Sequence, residues 1–185
     1  LDIDITGEGA DELPRNEKNL LVKAMYKGFD FLGGRPKGLA IRALNVNPHG
    51  RGLGSSASAI IGGLVLARAL VLNGEDHMND IQLLSLATDM EGHPDNVSAS
   101  LFGGATISWF EMEKHKSSAH CLHLNVDPRI QAIAYIPNKE LATSKARKML
   151  PDSIPFADAV RNTTNGALMS HALTTRPDLL FTATE

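Results

Sequence analysis

The chain has 185 residues, a length that suits one large domain or two small ones. Apolar residues make up 43% and charged residues 21%, which is the mix of a globular protein and excludes an intrinsically disordered chain, a collagen and a coiled coil. The net charge of −3 offers no basic excess to attract nucleic acid or a membrane surface. Cys121 is the single cysteine, so no internal disulfide can form and a reducing, cytoplasmic location is expected.

A strand and a helix open the chain. Apolar and polar residues alternate over 1–6, which predicts a half-buried strand. A helix is predicted next, with Asn16 as its N-cap and the glycines at 33–34 as its stop. A second strand is predicted over 38–46. The inward face of the helix is predicted to consist of Leu20, Leu21, Ala24, Met25, Phe29 and Leu32.

Three further helices are predicted before the middle of the chain. The first follows a glycine-rich loop over 48–56 and runs to about residue 72; its interruptions argue against a membrane span. Asn79 or Asp80 is predicted to cap the second, and the third is short, over 97–101. The second helix is predicted to bury Ile81, Leu84, Leu86 and Ala87.

The remaining pattern mixes strands and helices without regular alternation, which favours an α+β fold. Strands are predicted over 105–110 and 121–126, with 113–118 as the hairpin loop between them. A boundary is predicted at Asp127-Pro128, dividing a first unit, 1–127, from a second, 128–185. In the second unit we predict a strand over 130–136 and helices over 144–150 and 156–174.

The most informative segment is the loop that reads PHGRGLGSSASA, residues 48–59. Three glycines at alternate positions let the backbone turn tightly, and the serines then open a helix whose N–H groups favour a phosphate. A glycine turn with a serine N-cap, without any ligand, is the alternative. The P-loop pattern fails here, because Gly54 stands where it needs lysine, and the dinucleotide pattern fails because Ser55 replaces its third glycine.

This loop resembles the phosphate loop of the kinase superfamily named for galactokinase, homoserine kinase, mevalonate kinase and phosphomevalonate kinase, the GHMP kinases. The resemblance implies that the loop wraps the phosphates of ATP and that Ser56 contacts Mg²⁺. It also implies that Asn19, at a helix start, lies near adenine; alternatively Asn19 is only a polar residue of the first turn. The loop residues assigned to nucleotide binding are Pro48, Gly50, Arg51, Gly52, Leu53, Gly54, Ser55, Ser56, Ala57 and Ser58.

Two acidic residues follow in EGHPDNVSASLFGG, residues 91–104. A kinase needs a carboxylate for Mg²⁺ and a group that orients or deprotonates the acceptor hydroxyl, and Glu91 and Asp95 could fill these roles. The alternative is a solvated Glu91 and an Asp95 that caps the next helix. The string resembles the homoserine kinase branch of the family, which implies Glu91 as the metal ligand, Asp95 at the position of a base and Asn96 near the acceptor hydroxyl. His93 either lines the substrate pocket or is structural.

A basic segment, residues 137–151, resembles a third segment of the same branch. The resemblance implies that Thr143 lies near the transferred phosphate and that Arg147 holds the substrate carboxylate, a role that suits the bidentate guanidinium. An exposed helix with ordinary surface cations is the alternative.

Taken together, the resemblance implies a two-domain α+β GHMP kinase fold, with a ribosomal protein S5 domain 2-like first domain and a ferredoxin-like second domain. It implies an enzyme that uses ATP and Mg²⁺ to phosphorylate L-homoserine, and it leaves a homodimer open. The rival hypotheses are a mevalonate-type or sugar kinase, against which Arg147 argues, and a non-catalytic nucleotide- or anion-binding protein, against which the two acidic residues argue. The first and last motifs of the branch are not found, and the chain opens on Leu1 without methionine, so we expect a fragment, incomplete at both ends, of a protein of roughly 300 residues.

Overall fold

The computed structural model describes residues 1–113, 116–136 and 149–185. The chain divides into two compact units, Leu1–Leu122 and His123–Glu185. Within the described ranges, no helix is both long enough and apolar enough to cross a membrane. The predicted boundary after residue 127 stays a prediction.

The first unit opens with a parallel strand pair that is joined by a helix. Strand β1 (Asp2–Gly7) pairs with β2 (Ala40–Asn45), with Ile3 opposite Ile41, and helix α1 (Leu20–Phe31) connects them. All three predicted elements are confirmed. The alternation of burial along β1 places the isoleucines inward and the aspartates in solvent, as the period of two in the sequence predicts.

The prediction that Asn16 caps α1 is wrong, because the N-cap is Asn19. The side-chain oxygen of Asn19 accepts from the backbone N–H of Leu21 at 3.0 Å, and its amide donates to the carbonyl of Pro14 at 2.8 Å. Asn16 instead accepts from the N–H of Lys18 at 2.9 Å, in a turn before the helix. Asparagine is favoured both at a helix N-cap and in the turn before a helix, so the sequence pattern alone does not separate Asn16 from Asn19.

Helices α2 (Ser55–Leu70), α3 (Gly74–His77), α4 (Asp80–Glu91) and α5 (Asp95–Phe102) follow. Asn79 caps α4 in a capping box with Gln82, so one of the two predicted caps is confirmed. The buried face of α4 includes Leu83, Leu84 and Ala87, with Leu86 partly buried. Ile81 was predicted to face inward, but it is 54% exposed, because it lies off the face that α4 turns to α2.

Close contact between α1 and α2 forms the centre of this unit. A Cβ atom on Gly63 would lie 2.4 Å from the backbone oxygen of Leu21 and 2.6 Å from the Cβ of Ala24. A Cβ on Gly28 would lie 2.7 Å from the Cβ of Ala67. The two helices therefore approach each other where glycines leave room, and this fixes the position of the first turn of α2.

Strands β3 (Ala105–Glu113) and β4 (Lys116–Leu124) form a second, two-stranded sheet. The predicted loop over 113–118 is too long, because residue 113 belongs to β3 and residues 116–118 belong to β4. Polar residues suggested a loop, but one face of such a sheet can be solvated. On the hairpin, the ring of Trp109 stacks on His120 with 5.7 Å between the ring centroids.

The second unit contains helix α6 (Phe156–Thr174), as predicted, and two 3₁₀ turns, Pro177–Leu179 and Thr182–Thr184. The predicted strand over 130–136 is wrong: these residues have no regular secondary structure and Tyr135 is 91% exposed. A strand needs a partner for its backbone groups, and the described residues offer it none. Most of the predicted helix over 144–150 lies outside the described residues.

Candidate functional site

The loop before α2 has a backbone that favours glycine at three positions. Gly50, Gly52 and Gly54 have φ angles of +64°, +75° and +69°, in the left-handed region that other residues rarely adopt. Gly54 is the N-cap of α2 and supplies no side-chain hydrogen bond. The alternative of a serine N-cap is therefore wrong, and the N–H groups of the first turn remain available to an anion.

Ser56 and Glu91, the two predicted metal contacts, meet in the structure although they are 35 residues apart. The Ser56 hydroxyl donates to Glu91 Oε1 at 2.6 Å. The first turn of α2 supplies the serine, and the last residue of α4 supplies the carboxylate. The arrangement places a hydroxyl and a carboxylate beside the phosphate-favouring start of α2.

A cavity of about 260 Å³ opens beside this helix start. Its apolar wall comes from β1 and its surroundings and includes Ile3, Ile5 and Leu13. Its polar end is formed by the α2 serines and the cap of α1. Of the residues predicted to bind nucleotide, those that line the cavity are Asn19, Ser55, Ser56 and Ser58.

Most polar side chains of this wall already bond within the protein. Both ends of the Asn19 amide are engaged in capping α1. Asn45 donates to the carbonyl of Glu8 at 2.7 Å, and Asn47 donates to Ser58 Oγ at 2.8 Å. In contrast, Nδ1 of His49 is buried and has no hydrogen-bond partner among the described residues. Sequence reasoning missed Asn45, Asn47 and His49 as lining residues, although their position directly before the glycines was a signal for them.

Asp95 and His93 form a second polar contact, at the turn between α4 and α5. His93 Nδ1 hydrogen-bonds Asp95 Oδ1, which also accepts from the backbone N–H of Asn96 at 2.6 Å. The His93 side chain is 14% exposed and that of Asp95 65% exposed. The N-cap of α5 is Pro94, so the alternative that Asp95 caps this helix is wrong. The carboxylate is thus held in place and reaches solvent.

The other predicted site residues fall into three groups. The side chain of Ala57 is fully buried in the core, so only its backbone can meet a ligand. Pro48, Arg51 and Leu53 belong to the loop beside the cavity. Thr143 and Arg147 lie outside the described residues.

The cavity, the glycine loop and the hydroxyl–carboxylate pair lie together on an α+β fold, in an arrangement that suits a phosphate ligand. Residues 19–104 match the family described as "GHMP kinases N terminal domain". The chain belongs to the GHMP kinase family.

Similar proteins name one branch of this family. The chain is 49% identical over 185 residues to "Homoserine kinase" of Streptomyces coelicolor. The alignment covers all of this chain and 59% of that protein. It is 39% identical over 186 residues to "Homoserine kinase" of Mycobacterium tuberculosis, again with 100% and 59% covered. The chain therefore spans about three fifths of the length of the curated relatives that it matches.

A solved structure shares the fold. The crystal structure of homoserine kinase from Cytophaga hutchinsonii matches with a TM-score of 0.73 at 23% identity, over 100% of this chain and 58% of that one. The predicted α+β GHMP kinase fold is therefore confirmed.

Proposed function

We propose that this chain is the ATP-binding part of a homoserine kinase. The enzyme transfers the γ-phosphate of ATP to the hydroxyl of L-homoserine and produces O-phospho-L-homoserine for threonine biosynthesis in the cytoplasm. The observation that carries the proposal is the 2.6 Å contact between Ser56 and Glu91 at the start of α2. The curated relatives that are 39–49% identical along the whole chain support the choice of substrate. In this proposal residues 1–127 belong to the nucleotide-binding domain and 128–185 begin the second domain.

The residues fit both ATP and Mg²⁺. The cavity of about 260 Å³ has an apolar wall for a base and a helix start for phosphates. Mg²⁺ prefers oxygen ligands and takes several of them from phosphates and water, and Ser56 and Glu91 offer a hydroxyl and a carboxylate oxygen. No group of three or more His, Cys, Asp or Glu residues that could hold a metal occurs among the described residues, and a magnesium–nucleotide complex does not need one. When bound, Mg²⁺ neutralises charge on the phosphates.

The acceptor side of the reaction is assigned to the turn at residues 93–96 and to the basic segment. The acceptor oxygen forms a bond to the γ-phosphorus, the bond from that phosphorus to the leaving oxygen of ADP breaks, and the hydroxyl proton passes to solvent water. Asn96 and Asp95 orient the hydroxyl, and His93 holds Asp95 through its Nδ1 contact. Arg147 binds the substrate carboxylate and Thr143 lies near the transferred phosphate. Positioning and charge neutralisation supply most of the catalysis in such a transfer.

A coupled assay of ADP release by the intact protein tests this proposal. We expect turnover with L-homoserine and none above background with mevalonate or galactose. Turnover of mevalonate without turnover of homoserine would overturn it. Replacing Arg147 with lysine is expected to raise the KM for homoserine, because lysine cannot form the bidentate contact; an unchanged KM would favour an acceptor without a carboxylate.

A further inference from the structure

His49 lines the cavity and has no role in the proposed function. It stands between β2 and the glycines of the loop, and it lines the same cavity as the α2 serines. Its Nδ1 atom is buried without a hydrogen-bond partner among the described residues. A buried polar atom without a partner is unusual in a folded protein, and the burial of Nδ1 leaves Nε2 as the ring nitrogen that can meet a ligand.

Gly9, two residues after the end of β1, leaves room for the side chain of His49. A Cβ atom on Gly9 would lie 3.2 Å from the Cβ and 3.5 Å from the Cγ of His49. Gly9 has a φ of +67°, so it is a position where a side chain is disfavoured. The same Cβ would lie 3.9 Å from Leu13 Cγ, and Leu13 belongs to the apolar wall of the cavity. His49 therefore lies near Leu13 of the apolar wall.

The two ring nitrogens have different surroundings, and this difference favours one tautomer. A proton on Nδ1 would be a buried donor without an acceptor, which is costly. Nε2 has no hydrogen bond among the described residues either, but it is not one of the buried unpaired atoms, so it is the nitrogen that remains accessible at the cavity wall. An imidazole that carries its proton on Nε2 offers one donor there.

We propose that His49 is a nucleotide-positioning residue that donates a hydrogen bond from Nε2 to the nucleoside part of ATP. This inference rests on the proposed function. The start of α2 serves the phosphates, whereas His49 lies against the apolar wall, where the base and ribose have their place. The contact adds a hydrogen-bond donor to the cavity, whose asparagine amides already donate to other groups of the protein.

Equilibrium binding by calorimetry to the intact protein tests the proposal, with MgATP, adenosine and magnesium tripolyphosphate as probes. We expect His49→Leu to weaken ATP and adenosine by a similar factor, roughly fivefold to tenfold, which is the loss of one hydrogen bond. Binding of tripolyphosphate should stay within about twofold of wild type, because the phosphate site is untouched. Equal loss for all three probes, or no loss for any, would overturn the proposal.

Two amide variants separate the ring nitrogens. The Gln side chain places an amide nitrogen where Nε2 stands, and the shorter Asn side chain places one near Nδ1. We expect His49→Gln to bind ATP within about twofold of wild type and His49→Asn to behave like His49→Leu. The reverse order would overturn the assignment to Nε2.

The same experiment separates the inference from the proposed function. If wild type binds ATP and turns over homoserine while His49→Leu binds ATP as wild type does, only the role of His49 fails. If wild type binds no ATP, both proposals fail. Melting temperatures of the three variants close to that of wild type would show that each loss belongs to binding and not to unfolding.

Discussion

At the scale of single residues, the contact between Ser56 and Glu91 links two motifs that are far apart in the sequence. The hydroxyl donates to the carboxylate at 2.6 Å, Ser56 is exposed and Glu91 is half-buried. An exposed hydroxyl–carboxylate contact adds little to the stability of the fold. The pair is therefore better explained by what it binds than by what it stabilises.

Glu91→Gln tests this explanation, because it removes the charge and keeps the shape of the side chain. We expect the affinity for MgATP to fall at least about tenfold, since a charged metal ligand is lost, while metal-free ATP binds as in wild type. Titration calorimetry with and without Mg²⁺ measures both values. Glu75→Gln, at an exposed glutamate of α3, is the matched control. ATP binding that ignores Mg²⁺ in wild type and in Glu91→Gln would instead favour a non-catalytic anion-binding protein.

Cys121 is a second residue whose surroundings set its chemistry. Burial raises the pKa of the Cys121 thiol, and a weaker opposing effect comes from its hydrogen bond with Ser98. A higher pKa leaves less thiolate, which is the reactive form. We expect Cys121 to react with Ellman's reagent at pH 7.5 several times more slowly in the folded protein than in guanidinium. Equal rates in both states would contradict the partly buried position of the thiol.

How much of the site the sequence predicts depends on which atoms carry the role. The glycine spacing and the serines predicted the loop and the start of α2, because both are local features of backbone conformation. The contact between Ser56 and Glu91 depends on the packing of α2 on α4, which the sequence pattern does not give. The family resemblance alone predicted that both residues contact the metal. His49 was missed as a polar group without a partner because the burial of its Nδ1 depends on the folded structure and not on a local sequence pattern.

At the scale of elements, the contact between α1 and α2 positions the candidate nucleotide site. The first turn of α2 carries Ser55 and Ser56, and the middle of the helix packs on α1 through Gly63. Its neighbour Gly62 has open space at its Cβ position. The same helix therefore has one glycine without room for a methyl group, Gly63, next to one with room for it, Gly62.

Gly63→Ala and Gly62→Ala form a matched pair of tests. We expect Gly63→Ala to lower the free energy of unfolding by about 1–3 kcal/mol, because the new methyl group overlaps the Leu21 carbonyl and Ala24. Gly62→Ala should raise it by about 0.5–1 kcal/mol, because alanine favours a helix interior over glycine. Urea denaturation followed by circular dichroism measures both changes. Two variants of equal stability would show that α1 and α2 are farther apart than described.

Elements with strong local signals were predicted well, and those that depend on a partner were not. The bounds of α6 and the cap of α4 follow from periodicity and capping chemistry. The prediction of a strand over 130–136 failed because an apolar run does not specify the partner strand that its backbone hydrogen bonds require. Tyr135 is exposed to solvent. The N-cap of α1 failed because Asn16 and Asn19 both suit a helix start, and the Pro14 carbonyl, which the sequence does not place, accepts from Asn19.

At the scale of the whole molecule, the second unit contains charge pairs that the composition does not reveal. Arg129 contacts Asp127 at 2.7 Å, and Arg176 contacts Asp178 at 2.6 Å. The backbone N–H of Asp127 also donates to the carbonyl of Leu173 at 2.8 Å, which ties the start of this unit to α6. The small net charge of the chain therefore does not reveal these local ion pairs, whose carboxylates are protonated at low pH.

The pair of Asp127 and Arg129 gives this unit a pH dependence of known sign. Hydrogen bonds from the Arg129 side chain and backbone lower the pKa of Asp127 from 3.8 to about 2. Because the folded-state pKa lies below the ordinary value, the pair stabilises the fold above about pH 4 and loses this contribution as the pH falls through about 2. Arg129 is 70% exposed, so solvent screening keeps the contribution small. Carboxyl NMR titration between pH 3 and 6 is expected to show no titration step for Asp127 in wild type. In Arg129→Gln the pKa of Asp127 should rise toward 3.8, although the backbone N–H of residue 129 still donates to the carboxylate. A step near 3.8 in wild type would contradict the ion pair, and Arg161→Gln, on exposed α6 surface away from Asp127 in sequence, is the control that should leave Asp127 unchanged.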